Sequence, residues 1–375
     1  MISSFFLKEK GTEKELYPQS RALLLFNLII ASIGKTKFFR KALFASFSLE
    51  KKKDLDFKEE LPMDLSALLT VGQTALELGL ICSLTVLALF LSYSMLNVCD
   101  LSTDGCFTLG AAVGAVTAAA GHPLLSIPAA MLAGVCSGLV TALLQTKLGI
   151  NSLLAGIIVN TGLYSVNVAV MSGAAQVNLN RADTVFTMVK DLLAGTPLAG
   201  QSTTVVAAVA VILTVAFLTF FLNTRLGLAI RATGNSPDMV RSSSINPVFT
   251  TIVGLCVANA FTGLSGCLLA QSQKSAEINI GQGMVTIALA SLLIGSTLMG
   301  RGSIFTRAVG MVLGAFIFRL VYAAALRLDI LPAFMLKLVS SLIVALAIAL
   351  PYLKEQWPTI SRRLSYKKTA VRGGN

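Results

Sequence analysis

The sequence predicts an all-α protein that crosses a membrane several times, and three observations carry this prediction. Of the 375 residues, 55% are apolar and only 13% are charged, whereas soluble domains run about 45–50% apolar and about 25% charged. The mean hydropathy is +0.78. Apolar segments of membrane-spanning length recur from about residue 70 to residue 351. These observations exclude an ordinary soluble protein, a disordered chain and a disulfide-rich secreted module.

Residues 1–62 differ in composition from the rest of the chain. They hold 12 Lys/Arg and 8 Asp/Glu. Their one apolar stretch, 22–33, is short for a membrane crossing, and lysines and arginines follow it where a signal peptide would have a small-residue cleavage site. We therefore interpret 1–62 as an atypical extension and Met63 as the initiator. The alternative is that 22–34 form a further crossing.

Residues 63–351 are predicted to form the transmembrane domain, with about eight to nine transmembrane helices. The expected helices lie near 70–97, 105–120, 124–146, 151–171, 202–222, 247–270, 284–300, 304–326 and 331–351. The segment 105–120 is too short to cross about 30 Å of hydrocarbon alone, and it follows a polar stretch. We therefore expect a broken or half helix near 98–120.

The distribution of basic residues predicts the orientation. If the basic tail 352–375 is cytoplasmic, the inside loops and the tail hold twelve Lys/Arg and the outside loops hold four. The net charge of +12 is therefore a feature of membrane topology. No basic face interleaved with aromatic residues is present, so nucleic acid is not an expected partner.

The first polar concentration is the stretch from Asn97 to Gly105, which includes Asp100, Ser102 and Asp104. Carboxylates at membrane depth are expensive unless they face water, protein donors or a solute path. One interpretation is a capped helix start at the membrane surface. The other, which we favour because the next helix is short, is a broken helix that lines a pathway.

The second concentration is the long cytoplasmic loop 223–246. Within it, Ser236, Pro237 and Asp238 have the types preferred at the N-cap, first and second positions of a helix. We predict a short helix that ends near Ser244. Such a helix either lies on the bilayer surface or docks a partner protein.

The third concentration is a set of amides in the predicted helix 151–171, including Asn160 and Asn167. Amides in lipid usually form hydrogen bonds between helices, and lining of a pathway is the second interpretation. Three glycine pairs at a spacing of four predict close helix contacts. They are Gly110 with Gly114, Gly134 with Gly138, and Gly310 with Gly314.

No enzyme is predicted from the chain. The only histidine, His122, stands in a Gly-His-Pro sequence, and no set of residues with catalytic spacing or metal-ligand clustering is present. A complete phosphate-binding loop is also absent. We therefore expect neither a metal nor a cofactor, and a nucleotide that powered transport would bind another chain.

Three sequence stretches carry a family resemblance. They begin at Asp100 (Asp-Leu-Ser-Thr-Asp-Gly), Gly149 (Gly-Ile-Asn-Ser-Leu-Leu-Ala-Gly) and Arg231 (Arg-Ala-Thr-Gly-Asn-Ser-Pro-Asp). In this order they resemble the permease subunits of ABC importers of the branched-chain amino acid/ribose type, and within them the tryptophan/tyrosine-type or uncharacterised subgroup. The match covers roughly 70–350; residues 1–62 have no counterpart.

The resemblance implies a type II importer fold in the bacterial inner membrane. It implies two permease subunits, expected as a homodimer, two cytoplasmic ATP-binding subunits and an extracytoplasmic solute-binding protein, with lipid around them. The solute would be small, an amino acid or similar. The implied coupling residues are Gly234, Asn235, Ser236, Pro237, Asp238, Met239 and Arg241. The implied translocation path includes Asp100, Ser102, Thr103, Asp104, Asn160, Asn167 and Glu277.

The alternative function is a secondary transporter driven by an ion gradient, in which Asp100 and Asp104 bind the ion. Two features of the sequence argue against it. The loop 223–246 has no evident role in such a protein, and we expect no second interrupted helix in the C-terminal half.

Overall fold

The computed structural model describes residues 65–193, 201–299 and 302–327, together with 341, 344 and 345. The predictions for the extension 1–62, for most of the expected helix 331–351 and for the tail 352–375 lie outside the described residues.

The described part is mostly helical. Its helices are α1 (Leu65–Leu89), α2 (Thr103–Ala119), α3 (Pro123–Thr146), α4 (Ser152–Val170), α5 (Val185–Leu192), α6 (Ser202–Asn223), α7 (Arg225–Asn235), α8 (Pro237–Ser242), α9 (Pro247–Ser272), α10 (Met284–Met299) and α11 (Ile304–Arg327). A π-helical turn, Phe90–Met95, continues α1. Strands β1 (Gln176–Asn178) and β2 (Ser275–Glu277) pair antiparallel. The strand pair, α5 and α7 were not predicted from the sequence, because elements of 3 to 11 residues give patterns too short to be distinguished from loops.

Six of these helices are long and apolar enough to cross a membrane. They are α1 with its π turn, α3, α4, α6, α9 and α11. The prediction of a polytopic, predominantly helical membrane protein is therefore confirmed. Helix α2, with 17 residues, is about 25 Å long, so it is shorter than the hydrocarbon layer, as expected for a half helix.

Helix α9 is the centre of the bundle. It packs most extensively against α3 and α2. In its most apolar window 78% of residues are buried, against 33% in α3 and 28% in α4. Since a helix in lipid needs no polar face, this difference shows that α9 is surrounded by protein, whereas α3 and α4 expose apolar side chains.

The contacts along α9 define the two ends of the bundle. Leu96, which follows α1, packs against Gly254 near the start of α9, whereas Ser265 Oγ, near its end, donates to the carbonyl of Ile81 at 2.7 Å. Helices α1 and α9 therefore run antiparallel. We call the end with α7, α8 and the start of α9 the α8 end, and the opposite end, with β1 and β2, the strand end.

Close helix contacts form at the predicted glycine pairs. A Cβ added at Gly110 would collide with the backbone of Gly263, and one at Gly134 with the carbonyl of Asn259. A Cβ at Gly314 would collide with the carbonyl of Ser291. The prediction that these glycines permit close approach is confirmed for all three pairs, because the backbones touch where the side chain is missing.

Candidate functional site

The carboxylate of Asp100 is the centre of a buried polar cluster in the break between α1 and α2. Its Oδ1 accepts hydrogen bonds from the backbone N–H of Ser102 at 2.8 Å and from Ser102 Oγ at 2.6 Å. Its Oδ2 accepts one from Nδ2 of Asn259 at 2.8 Å. These three residues are at most 2% exposed. The carboxylate therefore attaches the break to α9.

Further hydrogen bonds extend this cluster to α3. Thr103 Oγ1 donates to the carbonyl of Asp100 at 3.0 Å. Thr141 Oγ1 on α3 donates to Ser102 Oγ at 3.2 Å. The thiol of Cys106 donates to the carbonyl of Asn259 at 3.4 Å. We name Asp100, Ser102, Thr103, Thr141 and Asn259 the Asp100 cluster. It joins three helices and the break through side chains that are buried from solvent.

The Asp100 cluster lies deep in the bundle. Asn259 is about 18 Å along α9 from Pro247, the first residue of that helix, at the usual helical rise. The break begins where α1 widens into its π turn, and Asn97 follows in the left-handed conformation with φ 56°. Asparagine tolerates that conformation better than most residues. The contacts of Gly110 with Gly263 and of Gly114 with Cys267 show that α2 runs parallel to α9 and therefore antiparallel to α1. The chain thus reverses direction at the break, and α2 is a half helix and not the second part of a broken one.

Asp104 connects α2 to a second part-length helix. Its Oδ2 accepts the N–H of Gly283 at 3.0 Å and its Oδ1 accepts the N–H of Val285 at 2.8 Å. These N–H groups are at the start of α10, where no helical carbonyl is available to them. Asp104 is also in the first turn of α2. One carboxylate therefore lies at two helix N-termini, where its negative charge is favourable.

The segment before α10 lies directly against α2. A Cβ at Gly281 would collide with the carbonyl of Asp104 and with Thr108 Oγ1. Helix α10 has 16 residues and is about 24 Å long, so it does not span the hydrocarbon layer. The helix expected near 284–300 is therefore found with nearly the same bounds, and like α2 it is shorter than the hydrocarbon layer. The contact of its first turn with Asp104 could not be predicted, because residues 104 and 285 are 181 positions apart in the sequence.

The amides of α4 approach the first turn of α2. Asn167, which is buried, donates through Nδ2 to the carbonyl of Gly105 at 3.2 Å. Asn160 is half-buried, and its Oδ1 would be 2.7 Å from a Cβ at Gly105. The interhelical hydrogen bond agrees with the interpretation that Asn167 stabilises helix packing.

Glu277 is separated from the other six residues of the expected path. It is exposed at the end of β2, opposite Gln176. In the described part of the chain, no hydrogen bond joins it to the Asp100 cluster or to Asp104. The structure thus brings Asp100, Ser102, Thr103, Asp104, Asn160 and Asn167 together around the start of α2, and it places Glu277 at the strand end.

Metal ligands do not cluster in the structure. Within residues 65–193, 201–299 and 302–327, no group of three or more His, Cys, Asp or Glu side chains could hold an ion. The two aspartates of the break also point to different partners, α9 for Asp100 and α10 for Asp104.

The loop 223–246 folds into α7 and α8, which meet at Ser236. Ser236 Oγ accepts the N–H of Met239 at 3.4 Å, Pro237 is the first residue of α8 and Asp238 is in its first turn. The local prediction of a capped short helix is confirmed. Met239 is 72% exposed, while Val240 is 3% exposed. Helix α8 therefore presents an exposed tip and is anchored by its opposite side.

Gly234 makes the contact that holds this loop to the membrane helices. A glycine at this position could supply a backbone conformation that other residues tolerate poorly, but Gly234 is helical and has no positive φ. Gly234 matters because the absence of a side chain lets α7 pack closely against the end of α1. A Cβ there would collide with the carbonyl of Met95 and with the backbone of Leu96.

Leu96 connects the loop to the break. It is 3% exposed, and its side chain lies against Gly254, where Ile230 of α7 also packs. Thr233 Oγ1 and Thr250 Oγ1 add a buried hydrogen bond of 2.8 Å between α7 and α9. Three residues of chain then separate Leu96 from Asp100. The loop that ends in α8 is thus packed onto the residues that lead into the break between α1 and α2.

Asn259, Thr141 and Met95 belong to this site and were missed by the sequence analysis. Asn259 had a usable signal, since it is an amide in the middle of a predicted apolar helix. Thr141 and Met95 had none. Threonines that donate a hydrogen bond to their own helix, as Thr141 does, are common in helices. The contact of Met95 with Gly234 is made by a main-chain carbonyl, so it does not depend on the type of residue at position 95.

Comparisons with known proteins identify relatives over most of the chain. A family described as branched-chain amino acid transport system / permease component matches residues 73–351. The tyrosine transport system permease protein of Clostridioides difficile (strain R20291) is 31% identical over 268 residues, which are 71% of this chain and 86% of that protein.

Two further relatives match shorter stretches. An uncharacterised protein of Rickettsia prowazekii (strain Madrid E) is 31% identical over 224 residues, or 59% of this chain and 75% of that protein. The D-allose transport system permease protein of Escherichia coli (strain K12) is 34% identical over 102 residues, or 26% of this chain and 31% of that protein. No solved structure matches the chain.

Proposed function

Because the chain belongs to the family of branched-chain amino acid transport system permease components, we propose that it is the transmembrane permease subunit of an ATP-driven importer. In this proposal the chain passes a small solute from an extracytoplasmic solute-binding protein to the cytoplasm. Two cytoplasmic ATP-binding subunits supply the energy, and the chain itself hydrolyses nothing.

The packing of the loop 223–246 is the observation that carries this proposal. A coupling element must expose a surface to its partner and be rigidly joined to the part of the membrane domain that moves. Met239 and Asp238 are exposed at the tip of α8. Gly234 contacts the last residues before the break. This arrangement supports a coupling role for Gly234, Asn235, Ser236, Pro237, Asp238, Met239 and Arg241.

The architecture that we propose is the type II importer fold with a homodimer of permease subunits. The six long helices, the shorter α2 and α10 and the apolar stretch 331–351 make nine in all. With the tail 352–375 in the cytoplasm, the α8 end is the cytoplasmic end. Arg225, Arg231 and Arg241 at that end support this orientation in the inner membrane.

An amino acid or similar small solute is the substrate class that we propose. The relative with the longer match is named for tyrosine transport, and the shorter one for D-allose transport. The greater length of the first match, 268 residues against 102, favours the amino acid. In the break, Asp100, Ser102, Thr103 and Asn167 would shape the path through their hydrogen bonds. The less buried Asp104, Asn160 and Glu277 would be nearer the solute.

Transport driven by an ion gradient is the alternative, and the part-length helix α10, which resembles α2, weakens one argument against it. The hydrogen bonds of the two carboxylates supply a different argument against ion-driven transport. Asp100 accepts three hydrogen bonds and Asp104 accepts two from backbone N–H groups. Carboxylate oxygens that are committed to protein donors are poor candidates to bind and release a cation in each transport cycle.

Reconstitution with partner subunits tests the proposal. The chain, its ATP-binding subunits and the loaded binding protein are placed in proteoliposomes, with either ATP or an ion gradient supplied. We expect uptake that requires ATP and that is lost in Asp238→Lys, although that variant inserts and is stable. Lys147→Glu, a charge reversal at the same end but outside the loop, is the matched control and should transport normally.

Two results would contradict the proposal. Uptake that follows the ion gradient without ATP would favour the secondary transporter. Normal ATP-dependent uptake by Asp238→Lys would mean that α8 is a bilayer-surface helix, because a lysine would strengthen its contact with anionic lipid and leave transport intact.

A further inference from the structure

Gln271, in the last turn of α9, is a buried side chain that bonds to two other parts of the chain. Its Oε1 accepts the N–H of Val185, the first residue of α5, at 2.9 Å. Its Nε2 donates to Ser126 Oγ on α3 at 2.6 Å and lies 3.3 Å from the sulfur of Cys267 on α9 itself. Gln271 and Ser126 are completely buried. Both polar atoms of the amide therefore have protein partners.

The bond to Val185 attaches α5 to the end of α9. The first N–H groups of a helix have no acceptor within the helix, so Gln271 supplies one that α5 lacks. Phe186 of α5 is buried in the main apolar cluster of the bundle. On the other side of the helix, Met188 and Leu192 are exposed. One side of α5 is thus fixed to the bundle, and the other faces outward at the strand end.

The strand pair is a second attachment of the segment that contains α5. Strand β1 pairs with β2, which follows α9, and the N–H of Leu179 donates to the carbonyl of Lys274 at 2.8 Å. These main-chain bonds hold β1 and not α5. In the described part of the chain, no other side chain of a membrane-spanning helix donates a hydrogen bond to α5 or accepts one from it. The polar link between α5 and α9 therefore depends on Gln271.

Helix α9 carries the loop 223–246 at its opposite end. Thr250 Oγ1, near the start of α9, lies 2.8 Å from Thr233 Oγ1 of α7, and Asn259 bonds to Asp100 in the break. Gln271 is about 32 Å along the helix from Thr250 at the usual rise. One helix thus has buried polar bonds to the loop, to the break and to α5. Because close-packed protein is hardly compressible, a displacement of one end of such a helix reaches the other.

We propose that Gln271 is a positioning residue for transport. It makes α5 move together with α9, so that contact of the solute-binding protein with the strand end reaches the α8 end through α9. The inference rests on the proposed function, because it needs a binding protein at one end and ATP-binding subunits at the other. Gln271 itself is buried and contacts neither partner. Its two hydrogen bonds fix α5 in one position, which apolar packing alone would do less specifically.

Hydrogen exchange of the full-length chain in nanodiscs tests the attachment. Gln271→Met keeps the length of the side chain and removes both polar atoms. Exchange in a peptide covering 185–192 should become roughly five-fold faster, as expected when a helix loses one acceptor at its N-terminus. Ser126→Ala is the matched control. It removes the other partner of the amide and leaves the bond to Val185, so exchange in 185–192 should keep the wild-type rate.

Stimulation of ATP hydrolysis tests the role in transport. The chain and its ATP-binding subunits are placed in proteoliposomes, and hydrolysis is measured with and without the loaded binding protein. In Gln271→Met we expect the stimulated rate to fall several-fold, while the rate without binding protein is unchanged. Ser126→Ala should keep the wild-type stimulation. Gln271→Glu retains an acceptor for the N–H of Val185, so it should lie between wild type and Gln271→Met.

Three results would overturn the inference. Wild-type exchange in 185–192 of Gln271→Met would show that Gln271 does not hold α5. Faster exchange with full stimulation would show that the attachment does not carry the signal. An equal loss of both hydrolysis rates in Gln271→Met and Ser126→Ala would show that the amide only stabilises the fold. All three leave the proposed function intact. Absence of ATP-dependent uptake by the wild type would instead overturn the proposed function and this inference with it.

Discussion

At the residue scale, the two aspartates of the break have separate structural tasks. Asp100 binds α9 through Asn259, and Asp104 caps α10 through two backbone N–H groups. A carboxylate in an apolar bundle is tolerated when protein donors replace water, and both aspartates have such donors. The polar stretch between α1 and α2 thus fixes the positions of two other helices.

Asp100→Leu should destabilise the protein. The substitution leaves the N–H and Oγ of Ser102 and the Nδ2 of Asn259 without their acceptor, at a cost of about 1–3 kcal/mol for each buried group. Asp100→Asn, which keeps the shape and one acceptor, should cost less. The measurement is the thermal midpoint of the purified protein in one lipid mixture.

A double-mutant cycle sharpens this prediction. The combination of Asp100→Leu with Asn259→Leu should cost less than the sum of the single changes, because the two side chains bond to each other. Additive costs would show that the Asp100–Asn259 hydrogen bond contributes nothing to stability.

At the element scale, the break between α1 and α2 and the start of α10 form one unit. The N-termini of α2 and α10 lie side by side, and such positive ends would repel each other without a negative charge between them. Asp104 provides that charge, and Gly281 permits the close approach. The loop of α7 and α8 is joined to the same unit through Leu96.

Asp104→Leu should loosen the start of α10. Loss of an N-cap acceptor costs about 1 kcal/mol, which corresponds to roughly five-fold more frequent local opening. Hydrogen exchange of a peptide covering 281–288 should therefore accelerate, while a peptide covering 308–315 of α11 is unchanged. Equal protection of both peptides in the variant and wild type would show that Asp104 does not cap this helix.

Gly234→Val should separate the loop 223–246 from α1. The added side chain collides with the carbonyl of Met95, and overpacking of this kind costs about 1–3 kcal/mol. Stimulation of ATP hydrolysis by the loaded binding protein should fall sharply. Ala232→Val is the matched control, because Ala232 is exposed on the same helix. If Gly234→Val keeps the wild-type stimulation of ATP hydrolysis, the contact of Gly234 with Met95 is not required for coupling.

At the scale of the whole molecule, the antiparallel packing of α1 against α9 gives the helix bundle two distinct ends. The basic residues of α7 and α8 lie at the α8 end, and the strand pair with Glu277 lies at the other. The orientation predicted from the distribution of basic residues can therefore be tested by determining which end of the bundle faces the cytoplasm.

Cysteine labelling from each side of the membrane tests the orientation. In a background without the native cysteines, Ser242→Cys on α8 and Gln176→Cys on β1 place thiols at opposite ends, and both positions are exposed. An impermeant thiol reagent should label Ser242→Cys in inside-out vesicles and Gln176→Cys in right-side-out vesicles. The reverse pattern would invert the proposed orientation.

The sequence by itself determined the membrane class, the positions of the long helices and the short capped helix at Ser236. These features follow from local chemistry, because a long apolar segment in a membrane must form a helix to satisfy its own backbone hydrogen bonds and cap residues satisfy nearby N–H groups. The glycine pairs at Gly110, Gly134 and Gly314 also predicted close helix contacts, since a missing side chain has the same effect in any arrangement.

Only the tertiary structure decided which partners the polar residues have. The Asp100–Asn259 bond and the Asp104–Val285 bond join residues 159 and 181 positions apart, so no local pattern contains them. The same holds for Gly234, whose contact with Met95 depends on how α7 packs against α1. Long-range pairs in a helical bundle are set by which helices become neighbours, and the uniform apolar surface of a membrane helix does not encode that choice locally.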